Sequence, residues 1–187
     1  MNLILASSSP RRQELLKQVH IPFTIRKPDV DESQITITDP AEKVKQLALR
    51  KGRQVPIQNN NEVILAADTI VAFENNIFEK PKSKLDAYQM LQKLSGNTHE
   101  VYTGVMLRST NKELLFTECT TVHFWTLTDE EIDAYLATND AYDKAGGYGI
   151  QSVGAMFVKG INGDYYNVVG LPLSTVVRQL RDFGISH

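Results

Sequence analysis

The most hydrophobic run of the chain extends from Val63 to Phe73, and its length and composition predict a strand at the centre of a sheet. Asp68 interrupts this run on the strand face that it would share with Ile64 and Ala66. Because a buried carboxylate without a partner is costly, Asp68 requires a cation, a metal ion or several hydrogen-bond donors there, or it retains its proton. A carboxylate in that position is suited to activating water or holding Mg²⁺, and a strand-end aspartate that accepts backbone hydrogen bonds is the alternative.

Helices and strands alternate along the rest of the sequence. Apolar periodicity and capping residues predict strands over Asn2–Ala6, about Glu100–Arg108 and about Leu114–Leu127, and helices that begin at Pro10, Pro40, Ser83, Asp129 and just after Pro172. The dipeptide Asn162-Gly163 between two apolar runs predicts a tight hairpin. This mixture predicts an α/β fold with a mixed sheet. Since no repeat, low-complexity tract or linker interrupts the sequence, residues 1–187 are expected to form a single domain.

The charge balance and the cysteine content exclude several classes of protein. The 20 basic and 22 acidic residues give a net charge of −2, so no global field would draw the protein to nucleic acid or to a membrane. No apolar stretch approaches the roughly 20 residues that span a bilayer, and the N-terminus lacks the features of a signal peptide. The single cysteine, Cys119, excludes an intrachain disulfide. We therefore expect a cytoplasmic protein in which any anion site is local.

A first candidate site is the segment Ser7-Ser8-Ser9-Pro10-Arg11-Arg12, between the first predicted strand and the first predicted helix. Ser9 is a favourable N-cap residue and Pro10 suits the first helical position. Arg11 and Arg12 then fall in the first turn, where cations are unfavourable by about 0.3–1 kcal/mol each unless an anion lies among them. Backbone amides, serine hydroxyls and two guanidinium groups would form a phosphate cradle. A capped helix with solvated arginines is the alternative.

Acidic and basic residues elsewhere are weaker candidates. The segment Asp29-Val30-Asp31-Glu32 offers three carboxylates in four residues, which fits a hard metal ion or an ordinary acidic surface loop. Lys80, which precedes a proline after an expected hairpin, and Lys51, on the second helix, could each meet a phosphate or lie in solvent. None of these residues indicates a metal site or a phosphate site by itself.

The segment Asp143 to Gln151 concentrates three glycines around Tyr148. Glycine allows a backbone to approach a ligand closely, and the Gln151 amide both donates and accepts, as the N3–H and carbonyl edge of uracil or thymine requires. An ordinary tight turn is the alternative. The sequence contains no phosphate-binding P-loop and no nucleophile elbow, and its four histidines lack the spacing of a zinc site.

Taken together, the segments ASSSPRR, AADT, EKP, LSG, DKAGGYGIQ and VGLP resemble the Maf family in their order and spacing over essentially the whole chain. The resemblance implies a mixed, twisted α/β sheet with flanking helices and two lobes around a central cleft, similar to the inosine triphosphate pyrophosphatases. It also implies hydrolysis of a nucleoside triphosphate between the α and β phosphates, with Mg²⁺ or Mn²⁺ as the cofactor.

The resemblance assigns roles to individual residues. Asp68 matches the catalytic carboxylate that accepts the proton of the attacking water. Ser7 and Arg12 match phosphate-binding residues of the first loop, and Lys51 and Lys80 match cationic residues of the same cleft. The metal is assigned to Asp68 and, less directly, to an acidic residue of the cleft that Glu32 matches.

Arg11, Thr69 and Gln151 match the positions that separate the substrate branches of the family, and here they resemble the dTTP/UTP branch. The implied function is the hydrolysis of dTTP and UTP, or of modified pyrimidine nucleotides, to the monophosphate and pyrophosphate. This would clean the nucleotide pool, and the family's association with septum formation also leaves a nucleotide-sensing role in cell division open. A homodimer is a family-level expectation.

Overall fold

The computed structural model describes residues 1–31, 34–74 and 76–186. The described strands are β1 (Asn2–Leu5), β2 (Phe23–Ile25), β3 (Glu62–Phe73), β4 (Asn76–Phe78), β5 (Thr98–Arg108), β6 (Glu113–Phe124) and β7 (Val158–Asn162). The described helices are α1 (Pro10–Gln18), α2 (Pro40–Gln54), α3 (Lys84–Leu94), α4 (Asp129–Leu136), α5 (Tyr165–Val169) and α6 (Leu173–Arg181). Short 3₁₀ turns lie at Ala145–Gly147 and Val153–Phe157.

The strands follow the order β2-β1-β3-β5-β6-β7, and β4 pairs with β3 off this path. β1 is parallel to both β2 and β3, with Leu5 opposite Ile25 on one side and Leu65 on the other. The β3–β4 and β6–β7 pairs are antiparallel. The mixed sheet and its flanking helices therefore confirm the predicted fold class.

The chain divides into two compact units, each drawn from discontinuous segments. The first unit contains Met1–Asp68, Thr103–Glu118 and the chain from Gly170 onwards. Its core beside α2 consists of aliphatic side chains from β1, α2, β3 and β5, and these include Ile4, Ala48, Ile64, Ala66 and Met106. A Cβ at Gly52 would lie 2.5 Å from the sulfur of Met106, so α2 lies close against β5. That close approach is open to a residue without a side chain.

The second unit contains Thr69–Tyr102 and Cys119–Val169, and its core is largely aromatic. Phe124 contacts both His99 and Tyr148 edge-to-face, with ring centroids 4.8 and 4.7 Å apart. Tyr135 contacts Phe157 in the same way at 4.9 Å. Such edge-to-face pairs fix ring orientations as well as burying apolar area.

Helix starts agree closely with the sequence. Asp39 accepts a hydrogen bond from the Glu42 amide at 2.8 Å, and Ser83 accepts one from the Asp86 amide at 3.1 Å. The predicted capping box before α4 is present, because Thr128 and Glu131 bond reciprocally. Among the described residues, no helix has the length and hydropathy needed to cross a membrane.

The predicted hairpin at Asn162-Gly163 is wrong, because β7 leads into α5 instead of a returning strand. The Asp164 amide donates to the Thr120 hydroxyl at 3.0 Å, and the Asp164 carboxylate accepts from the Tyr166 amide at 2.7 Å. These bonds direct the chain into a helical turn. β6 also ends at Phe124, three residues before the predicted end at Leu127.

Candidate active site

Ser7 and Arg12 form one buried polar pair at the start of α1. The Ser7 hydroxyl oxygen accepts hydrogen bonds from the Ser9 amide and from Arg12 Nη1, each at 3.2 Å. Arg12 Nε donates to the Gly170 carbonyl at 2.7 Å, so the guanidinium is held by two separate chain segments. Arg12 is only 9% exposed, so the alternative of a solvated arginine at this position is wrong. A phosphate group would give this buried cation a charged acceptor, which is worth more than a neutral one.

The N-terminus of α1 suits an anion for a further reason. Pro10 occupies the first helical position as predicted, and the first turn contains no acidic residue. Ser9 is the N-cap residue, although its described side chain makes no capping hydrogen bond. Arg11 follows in the same turn and is half-buried. Backbone amides at a helix start and neighbouring guanidinium groups are the donors that phosphate oxygens bind in proteins.

Asp68 forms the second polar pair, with Lys51. It lies within β3, whose strand continues to Phe73, so it is not the strand-end aspartate of the alternative interpretation. The Lys51 ammonium contacts Asp68 Oδ1, and each side chain is 13% exposed. Of the partners that a buried Asp68 required, the structure therefore supplies a cation. Lys51 projects from the last turn of α2, which the contact of Gly52 with Met106 holds close to the sheet.

Neighbouring strands bring one member of each pair to the same part of the sheet, because Ser7 follows β1 and Asp68 lies on β3. The Ala6 amide donates to the Leu65 carbonyl at 2.8 Å, so the chain leaves β1 towards Ser7 beside the part of β3 that leads to Asp68. Both pairs lie in the first unit. The arrangement combines cationic donors with a carboxylate, and this combination can bind an oxyanion and take a proton.

The other residues assigned to the substrate lie in the second unit. Thr69 follows Asp68 on β3, and the alternation of a strand directs its side chain to the opposite face. Lys80 is exposed just beyond the antiparallel β3–β4 pair, which confirms the hairpin expected before it. Gln151 is exposed after the glycine-rich segment.

The glycine-rich segment has an ordered interior. Gly146 and Gly147 have φ values of +70° and +72°, a conformation that side-chain-bearing residues seldom adopt. Tyr148 is buried, and its hydroxyl lies 2.8 Å from His99 Nε2. Burial raises the pKa of Tyr148 and lowers the pKa of His99 to about 3, so both rings are neutral near pH 7.

The acidic segment gives little support to a preformed metal site. Asp29 and Asp31 are exposed; Asp31 accepts a hydrogen bond from Gln34 at 3.1 Å, and the backbone of Asp29 contacts the Gln54 side chain. Glu32 lies outside the described residues. Within the described ranges, no group of three or more His, Cys, Asp or Glu side chains could hold a metal ion. Mg²⁺ is commonly held by one or two carboxylates together with substrate phosphates, and the single half-buried carboxylate of Asp68 fits that mode of binding.

Sequence reasoning missed several polar residues around these segments. The Gly170 carbonyl belongs to the VGLP motif, but nothing local indicated that it binds Arg12. A cluster around Asp140, which includes Lys144 and Ser152, flanks the glycine-rich segment.

The mixed sheet, the buried pair of Ser7 and Arg12 and the half-buried pair of Lys51 and Asp68 define an α/β protein with a local cationic site beside a carboxylate. A family model described as Maf-like protein matches residues 2–183. The chain belongs to the Maf family.

Curated relatives match nearly the whole chain. A protein of Bacillus anthracis (strain CDC 684 / NRRL 3495) named dTTP/UTP pyrophosphatase is 51% identical over 183 residues, which cover 98% of this chain and 96% of the relative. A protein of the same name from Bacillus cytotoxicus is 51% identical over 186 residues, with 98% and 97% coverage. Among solved structures, a HAM1 protein from Coxiella burnetii is similar with a TM-score of 0.41 and 16% identity, over 66% of this chain and 73% of that one.

Proposed function

We propose that this protein hydrolyses dTTP and UTP to the nucleoside monophosphate and pyrophosphate. The observation that carries the proposal is the half-buried Asp68 of β3 in contact with Lys51, in a chain 51% identical to proteins named for this activity. An ion pair shielded from solvent is weak evidence for stability, because well-packed apolar residues often serve a fold equally well or better. A role in binding or catalysis explains why Asp68 and Lys51 lie there.

The triphosphate would bind to the first unit through its negative charge. Arg12 is held by Ser7 and Gly170 before any ligand arrives, so it requires little reorganisation to meet a phosphate oxygen. The α1 amides and Arg11 would supply further donors. We propose that Lys51 and Lys80 bind the remaining phosphate oxygens.

Asp68 would then act as the general base. It accepts a proton from water as the water oxygen bonds to the α-phosphorus, and the bond from that phosphorus to the oxygen bridging the α and β phosphates breaks. The monophosphate keeps the new oxygen, and pyrophosphate leaves with the bridging oxygen. Because the ammonium of Lys51 contacts Asp68, it would lie near the attacked phosphorus and stabilise the charge that develops there in the transition state.

A divalent cation, Mg²⁺ or Mn²⁺, would be held by Asp68, by the phosphates and, as we propose, by Glu32. When bound, such an ion neutralises phosphate charge and polarises the phosphorus–oxygen bonds. Chelation should therefore abolish hydrolysis, and added Mg²⁺ or Mn²⁺ should restore it.

The base would be selected by Arg11, Thr69 and Gln151. The amide of Gln151 can accept from N3–H and donate to a carbonyl of uracil or thymine, whereas cytosine presents an acceptor at N3 and an amino group beside it. A site built for one such pattern rejects the other because a polar group would be left without a partner. Modified pyrimidines that keep the uracil edge would remain substrates, which suits the cleaning of a cytoplasmic nucleotide pool.

We also propose that residues 1–187 act as one catalytic domain, with a homodimer as its assembly. Each compact unit is built from discontinuous segments, so no single cut of the chain releases either one intact. A role in septum formation would then follow from the hydrolysis or from nucleotide binding alone.

The deciding experiment measures pyrophosphate and orthophosphate separately when the purified protein is incubated with Mg²⁺ and dTTP, UTP, dCTP or dGTP. We expect pyrophosphate from dTTP and UTP, with no orthophosphate. Release of orthophosphate alone would indicate cleavage of the terminal phosphate and would contradict the proposal. Equal rates with all four nucleotides would contradict the proposed preference for uracil and thymine.

A further inference from the structure

The carboxylate of Asp140, which follows α4, receives hydrogen bonds from three side chains of the second unit. Lys144 Nζ donates to Asp140 Oδ1 at 2.8 Å and to the Asp140 carbonyl at 2.6 Å. The Tyr135 hydroxyl donates to Asp140 Oδ2 at 3.3 Å, and the Ser152 hydroxyl contacts the same oxygen. We call these four residues the Asp140 cluster.

The Asp140 cluster connects the two ends of the glycine-rich segment. Lys144 immediately precedes residues 145–151, and Ser152 immediately follows them. Because both bind the same carboxylate, the segment that carries Gln151 is closed into a loop through Asp140.

The stem of Lys144 is part of this closure. A Cβ at Gly149 would lie 2.5 Å from Lys144 Cε and 2.7 Å from Ser152 Oγ, so the lysine chain passes directly against the Gly149 backbone. The Lys144 side chain is only 11% exposed, although it carries a charge. A side chain at position 149 would collide with Lys144, and this contact within the protein is sufficient reason for a glycine there.

The Asp140 carboxyl is ionised at neutral pH. Burial raises the pKa of the Asp140 carboxyl, but the hydrogen bonds from Lys144 and Ser152 outweigh burial and leave the pKa below its usual value. The bond between Asp140 and Lys144 is thus charge-assisted, which makes it stronger than a neutral hydrogen bond.

We propose that Asp140 is a positioning residue that holds the loop of residues 145–151 so that Gln151 meets the base of the substrate. This inference rests on the proposed function, because it concerns the selection of uracil and thymine. Asp140 itself would touch neither the base nor the phosphates. An ordered loop increases the fraction of protein that is ready to bind, and a looser loop lowers the apparent affinity by that fraction.

Two substitutions remove the charged bond in different ways. Asp140→Asn preserves the size of the side chain, and Lys144→Met preserves the aliphatic stem against Gly149. Asp133→Asn is the matched control, because it removes a carboxylate of α4 whose ion pair with Lys84, at 3.3 Å, is exposed. If Asp140→Asn does not fold, Lys144→Met carries the test.

We expect both cluster variants to raise the KM for dTTP about fivefold to tenfold while kcat changes by less than about twofold. The preference for dTTP over dCTP in kcat/KM should fall, and hydrogen exchange of the amides of residues 145–152 should become faster in the absence of nucleotide. Asp133→Asn should match the wild type in every measurement.

Faster exchange with unchanged KM and unchanged base preference would overturn the inference, because the cluster would then serve stability alone. A loss in kcat with unchanged KM would also overturn it. Both of these failures leave wild-type hydrolysis intact. If the wild-type protein releases no pyrophosphate, the proposed function itself is contradicted. The positioning role of Asp140 is then contradicted as well, because it depends on that function.

Discussion

Replacing Asp68 with asparagine separates the proposed chemistry from binding. The substitution keeps the size of the side chain and one acceptor for Lys51, but it removes the negative charge and the ability to take a proton. A positioned general base contributes about 10²–10⁴-fold to a rate, so pyrophosphate release from dTTP should fall by about that factor. Nucleotide should still bind, because the pair of Ser7 and Arg12 is unchanged.

The same substitution has a cost in stability that follows from burial. Asp68 and Lys51 are each 13% exposed, so Asp68→Asn leaves a largely desolvated ammonium without its counter-charge. Removing one partner of a fully buried pair costs about 3–5 kcal/mol. The remaining exposure and the amide oxygen of asparagine reduce the expected loss in the free energy of unfolding to about 1–3 kcal/mol. Tm should fall by about 2–4 °C for each kcal/mol.

Glu62→Gln is the matched control, since Glu62 is another carboxylate of β3 that is shielded from solvent and has a cationic partner. Arg26 donates to both Glu62 oxygens, at 3.1 and 3.0 Å, and these bonds hold the pKa of Glu62 at about 2 although burial opposes them. This variant should also lose stability but keep wild-type turnover at a temperature where it is folded. Pyrophosphate release by Asp68→Asn within about threefold of wild type, far short of the loss expected for a general base, would refute the catalytic role.

Three further substitutions test other parts of the structure. Gly170 has a φ of +126°, so Gly170→Ala should shift the carbonyl that binds Arg12 and raise KM for every nucleotide alike; a preference that changes with the base would contradict this. Gln151→Ala should reduce the preference for dTTP over dCTP more than it reduces kcat, and an equal loss for both nucleotides would contradict base recognition. Burial lowers the pKa of His99 to about 3 in the folded protein, against about 6.5 in the unfolded chain. Between these values the unfolded state binds one more proton than the folded state. The free energy of unfolding should therefore fall as the pH drops from 6.5 towards 3, by up to about 1.4 kcal/mol per pH unit. His99→Gln, whose amide can either donate to or accept from the Tyr148 hydroxyl, should flatten this slope in urea titrations at pH 5 and 7. An unchanged slope would show that another group is responsible.

Strands and helices that are marked by an apolar pattern or by capping residues in their own segment could be predicted. The apolar run around Asp68 became β3, and capping residues located the starts of α2, α3 and α4. β2 could not be predicted, because its three residues have no periodic pattern and are only half-buried or exposed. Its existence depends on hydrogen bonding to β1, which is a tertiary contact. The hairpin at Asn162-Gly163 failed for a related reason, since a hydroxyl in β6, that of Thr120, decides the path of the chain.

The candidate site divides in the same way between local and distant contacts. Ser7 and Arg12 lie five positions apart at one helix start, so a sequence motif could place them together. The need of Asp68 for a cation, a metal ion or several donors followed from its apolar neighbours, but the sequence did not decide among these partners or distinguish Lys51 from other lysines. The packing of α2 against the sheet determines that Lys51 is the lysine in contact with Asp68. The acceptor at Gly170 is 158 positions from Arg12, and no local pattern predicts such a bond.

Burial of Arg12 changes how the helix-start motif is understood. A solvated guanidinium would have to lose water and rotamer freedom when a phosphate arrives, and that cost would weaken binding. Here Ser7 and Gly170 already hold the Arg12 guanidinium, so its water and rotamer freedom are lost on folding and not on binding. The same reasoning applies to Lys51, whose ammonium already contacts Asp68. Arg12 and Lys51 are therefore preorganised by partners within the protein, which a triphosphate would join. The phosphate affinity should depend on these supporting contacts as much as on the two cations themselves.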